Sequence, residues 1–111
     1  MSLAIDQKNS GIPSWMKKDQ YWSSTLYILG EMNHPGLDSI RHKFVDIEGT
    51  SINFVAIRKA TAKWSTGEKI LIALAAHLFN SHHKFNLSDL DYLGRDFGQI
   101  ALQAIRVRYR I

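Results

Sequence analysis

Three of the five histidines, His77, His82 and His83, fall in one short stretch, and imidazoles gathered this way first suggest a metal site. A zinc centre wants about three ligands aimed at one point, usually with a pair at i and i+4 on a helix. Four residues after His77 stands Ser81, and the side chains of the adjacent His82 and His83 diverge on most backbones. These histidines therefore read as turn residues, and no metal is expected. Acid–base chemistry would need carboxylates converging in a cleft. Instead Asp38, Glu68, Asp89 and Asp96 each sit where a helix would start, as caps or first-turn residues. Ser14, Ser65 and Ser88 likewise read as N-caps, and no nucleophile elbow surrounds them. The chain has no cysteine, which removes thiol catalysis, zinc–thiolate sites and disulfides. The expectation is a non-enzymatic chain with no cofactor.

Side chains suited to binding are easier to find. Gln99, Gln103, Arg106 and Arg110 recur at steps of four, three and four, so one helix would align them as a polar stripe. Glutamine and arginine are types that contact base edges and phosphates. Arginine late in a helix also complements the helix dipole, so the same stripe suits a plain solvent face. In the aromatic-rich first helix, Trp15 and Tyr27 are the members expected to stay exposed, where they would mark a partner surface.

The elements that must hold these residues follow from periodicity and caps. Residues 1–13 show little pattern and read as a flexible N-terminal arm, with residues 14–111 as a single helical domain. Ser14 is expected to cap a helix reaching about Met32. Its apolar side is Tyr21, Trp22, Thr25, Leu26, Ile28, Leu29 and Met32; Gln20, Ser23, Ser24, Tyr27 and Glu31 lie opposite. Asn33-His34-Pro35-Gly36 stops it. A short helix with Leu37, Ile40, Arg41 and Phe44 on one side comes next.

Two readings then stand for residues 43–57. Alternation around Ile52, Phe54 and Ala56 fits a β-hairpin turning at Glu48-Gly49-Thr50-Ser51. Alternatively, Ser51 caps a helix with Ile52, Val55 and Ala56 inward; this is preferred because a lone hairpin is only marginally stable. Ser65 followed by Glu68 matches the capping box and opens a helix over about 66–80 that is apolar almost all round, the composition of a helix at the middle of a bundle. Ser88 would cap a short helix with Leu87, Leu90 and Leu93 inward. Gly94 would end it, and Asp96 would cap a last helix running to about Tyr109, with Phe97, Ile100, Ala101 and Ala104 facing the core. The expected fold is all-α, a compact bundle of five or six helices around helix 66–80, with the hairpin as the one β alternative.

Ser65-Thr66-Gly67-Glu68-Lys69 resembles the SGGEK signature of ATPases that organise chromosomes and act on DNA breaks. There the signature acts on nucleotide held by a separate GxxxxGK[ST] loop, which this chain lacks, so the capped buried helix accounts for the likeness. By layout, the aromatic first helix, WSTGEK opening a buried helix to LFN and the closing ALQAIRVRY resemble short helical proteins of bacteria and their phages. That resemblance names no family. It implies a phage or prophage origin, where small proteins that modulate a host factor are common.

Composition bounds the rest. The 111 residues carry a net charge of +4, and the stretch from Gly94 onward holds Arg95, Arg106, Arg108 and Arg110 against Asp96 alone. The excess charge therefore sits on the last helix. That permits nucleic-acid contact without requiring it. The longest apolar run, Ile70 to Ala76, is well short of the roughly 20 residues of a membrane span. A cytoplasmic binding or regulatory protein is expected, acting on a protein partner or by self-association. The alternative is a helix-turn-helix-like DNA-binding domain reading with the last helix.

Overall fold

A computed structural model describes residues 12–111, so the expected arm at 1–13 lies almost wholly outside the described residues. Six α-helices, one 3-10 helix and one two-stranded hairpin form among them. In chain order they are α1 (Ser14–Lys18), α2 (Gln20–Glu31), α3 (Leu37–Phe44), β1 (Val45–Asp46), β2 (Ser51–Ile52), α4 (Phe54–Ala60), α5 (Thr66–Phe79), the 3-10 helix (Leu87–Tyr92) and α6 (Arg95–Tyr109). The bundle is mostly α, as expected.

The first helix is two helices. Asp19 takes an extended backbone (φ −73°, ψ 128°), and its carboxylate accepts from Trp22 N–H at 2.9 Å. A side chain that caps a new helix ends the old one, and this local competition overrides the continuous periodicity on which a single helix was expected. Ser14 caps nothing: Pro13 precedes α1, and no side-chain cap is made. The expected faces also shift. Ser24 is buried and bonds back to Tyr21 O, whereas Tyr21 is exposed.

Between α3 and α4 both readings hold, on different residues. Val45 pairs Ile52 and Asp46 pairs Ser51 in an antiparallel hairpin. Gly49 N–H donates to Asp46 Oδ1, and Thr50 adopts the left-handed conformation (φ 53°). The helix starts two residues beyond β2, because Asn53, not Ser51, caps it by accepting from Ala56 N–H at 3.0 Å. Its core residues are accordingly Phe54 and Ile57, while Val55 points to solvent.

The helix α5 is the most buried element, with Ile70, Leu71, Ile72, Leu74, Ala75, Ala76 and Leu78 all inside. Both halves of its capping box form: Glu68 N–H donates to Ser65 Oγ at 3.2 Å, and Ser65 N–H to Glu68 Oε1 at 2.9 Å. Gly67 has a packing task, since a Cβ there would come within 2.9 Å of the Phe97 ring. Helix α2 runs antiparallel to α5: near its start Trp22 meets Phe79 edge-on, and further along Thr25 Oγ1 donates to Ala75 O at 3.3 Å. Helices α5 and α6 run parallel, because Gly67 faces Phe97 at their beginnings and Arg108 reaches Leu78 at their ends. Parallel neighbours need a return crossover, supplied by residues 80–94. In that crossover Asn86, not Ser88, is the cap, and the element is 3-10, with Leu87 exposed instead of inward. Similarly Gly94, not Asp96, occupies the N-cap of α6.

Candidate functional site

The exposed side of α6 carries the polar stripe. Gln99, Gln103, Arg106 and Arg110 are all exposed, and Arg95, eleven residues before Arg106, falls on the same side at helical spacing. Arg110 closes the helix in the left-handed conformation, with its N–H on Arg106 O. Arg108 does not join the stripe. Its Nε donates to Leu78 O at 2.9 Å, a carbonyl in the last turn of α5, and its guanidinium lies 3.8 Å from the ring centre of Tyr21 and 4.7 Å from that of Tyr109. Of the side chains expected to form a partner surface, the structure therefore brings four together on one helix. Trp15 is half exposed, on α1, whereas Tyr27 is half-buried against the core and is not an exposed anchor.

Exposed apolar surface borders this stripe. Leu102 and Tyr109 widen the apolar side of α6 in a helical projection, yet each keeps more than half its area in solvent. Beside Tyr109 opens a cleft of about 270 Å³ lined by Leu74, His77, Leu78, Phe85, Leu87, Ile105 and Tyr109. The C-terminal halves of the parallel helices α5 and α6 form two of its walls, and the crossover forms the third. The crossover is tied down at its start: His83 N–H donates to Asn80 O, His82 N–H to Asn80 Oδ1, and His77 Nδ1 lies 2.8 Å from His83 O. His77 also tilts against Phe85. Reading along the chain could not find this cleft, because its walls come from three segments that only the parallel arrangement brings together.

Two further histidines, His34 and His83, have ring partners within the fold. His34 stacks on Trp64, with ring centres 3.5 Å apart, and accepts from Gly36 N–H through Nδ1. His83 meets Phe54 edge-on. Among the described residues, no group of three or more His, Cys, Asp or Glu side chains is placed to share a metal ion. No described helix is long and apolar enough to cross a membrane. No protein-family model matches the chain, no curated protein matches it, and no solved structure does.

Proposed function

We propose that the chain is a non-enzymatic binding protein that captures an acidic, partly apolar segment of another protein on the exposed side of α6. The observation that carries this reading is the adjacency of two unlike surfaces on one helix. A stripe of Arg95, Gln99, Gln103, Arg106 and Arg110 runs beside uncovered Leu102 and Tyr109 and an apolar cleft. Protein interfaces combine aromatic anchors and arginine in this manner, with apolar contact at the centre and polar groups at the rim. A second copy of the chain is disfavoured as the partner, because a two-fold interface uses one patch twice and would set cationic stripe against cationic stripe. A cytoplasmic, phage- or prophage-derived setting fits a small cysteine-free protein that works by occupying a host factor.

Duplex DNA is the second reading, favoured by the regular stripe alone. Against it, the element before α6 is a 3-10 helix where a helix-turn-helix has an α-helix. The start of α6, which would enter the groove, carries Asp96 and Gly98. Selection of a displayed random peptide library on the immobilised chain tests the proposal. Enriched peptides should combine Asp or Glu with an aromatic residue, and they should bind the Arg106→Ala/Arg110→Ala variant more weakly. Enrichment of peptides without acidic residues would contradict it, as would duplex DNA binding at low salt whose log–log salt slope, near −0.9 per phosphate contact, flattens in that variant. A dimer in sedimentation built on the α6 surface would also contradict it.

A further inference from the structure

We infer that the cleft between α5, the crossover and α6 is the anchor pocket for one aromatic side chain bearing a hydrogen-bond donor, a tyrosine or tryptophan of the acidic partner segment, with His77 as its acceptor. The inference rests on the reading of α6 as the partner surface and adds the chemistry of the residue that docks there. Size is the first consideration. About 270 Å³ lies below the roughly 300–1,000 Å³ of clefts that enclose drug-sized ligands, and it suits a single side chain. Polarity is the second. Leu74, Leu78, Phe85, Leu87 and Ile105 offer only apolar surface, so the face of a ring is well matched.

The third consideration is the tautomer of His77. The His83 carbonyl oxygen can only accept, so at 2.8 Å the hydrogen must sit on Nδ1 of His77. Neutral imidazole then keeps its lone pair on Nε2. Among the described residues Nε2 has no hydrogen-bond partner. A phenol hydroxyl or an indole N–H meets that lone pair, an aliphatic group leaves it unmet, and a carboxylate opposes it with another lone pair. Charge settles the surroundings of the anchor. Arg106 and Arg110 line the solvent edge of α6 next to the cleft residues Ile105 and Tyr109, and exposed Lys84 precedes Phe85 on the crossover. Acidic residues flanking the aromatic one would lie against these cations.

The test titrates the full chain, with ¹³C-labelled methyls and ¹⁵N-labelled imidazole, with p-cresol, 3-methylindole, toluene and phenylacetate. The two donors should shift the Leu74, Leu78 and Ile105 methyls and His77 Nε2 saturably. They should bind about 2- to 10-fold more tightly than toluene, the range one net hydrogen bond provides. His77→Phe should erase that preference. Because this variant also loses the bond to His83 O, the ranking of probes on the unmodified chain decides the matter by itself. Equal binding of toluene and p-cresol, tighter binding of phenylacetate, or no saturable shift at these methyls would overturn the assignment. The probes report on the cleft without any partner, whereas Arg106→Ala/Arg110→Ala reports on the stripe without altering the cleft, so failure of one reading is distinguishable from failure of the other. In a selected peptide, replacing the aromatic residue by alanine should abolish the cleft shifts while the acidic residues still contact α6. Cleft shifts that persist after that replacement would overturn the inference.

Discussion

Arg108 shows how far position decides what a charged residue does. Three arginines occupy alternate places at the end of α6, yet only Arg108 turns inward, where it satisfies a carbonyl of α5 and packs between two tyrosines. Arg41 does the same at the end of α2: it donates to Leu29 O at 3.1 Å and pairs with Asp38. Carbonyls in the last turn of a helix lack intrahelical partners, and a guanidinium there also meets the negative end of the dipole. Arg108→Ala should cost about 1–3 kcal/mol in urea denaturation, the worth of a charged hydrogen bond plus stacking. Arg106→Ala, at an exposed position, should stay within about 0.5 kcal/mol. In helical projection Arg108 falls on the apolar side of α6 and Arg106 on the polar stripe. The tyrosines that hold Arg108 could not be foreseen, since Tyr21 is 87 positions away in the chain.

Among the elements, α5 was legible because three independent signals agree: a capping box, strong helix formers and apolar residues all round. Where signals compete, a single short polar side chain decides the boundary. Asp19 divides α1 from α2, Asn53 rather than Ser51 starts α4, and Asn86 rather than Ser88 starts the 3-10 helix. Several residues in each region are able to cap, and tertiary packing chooses among them, which local pattern does not report. The hairpin turn holds a β-branched residue in the left-handed region at Thr50, a conformation that costs L-residues about 1–2 kcal/mol. Thr50→Gly should therefore stabilise the protein, by about 1 kcal/mol after the added entropy of the unfolded chain, seen as a higher denaturation midpoint. Gly67→Ala should act in the opposite sense, because the new methyl would press on Phe97.

For the molecule as a whole, the decisive feature is the parallel pairing of α5 and α6 with α2 antiparallel to both. It buries α5, so Leu71→Ala should cost about 2–5 kcal/mol, while Lys69→Ala should cost little. The same pairing opens the cleft at the helix ends. The polar stripe was legible because it lies on one helix, whereas the cleft was not, because its walls come from three separate segments. Leu102 and Tyr109 lie beside the apolar side of α6 by spacing, yet they are exposed because the bundle leaves that part of the helix uncovered.

If a partner docks on the exposed side of α6, single thiols will report it, because the chain has no cysteine of its own. Gln103→Cys places one on the stripe, and Val55→Cys places one on α4, at a position also exposed in the free protein. The measurement is the rate of maleimide labelling at each thiol, with and without a saturating selected peptide. Labelling should slow at position 103 and keep its rate at position 55; equal rates at 103 with and without peptide, or protection at 55 instead, would rule out docking on α6.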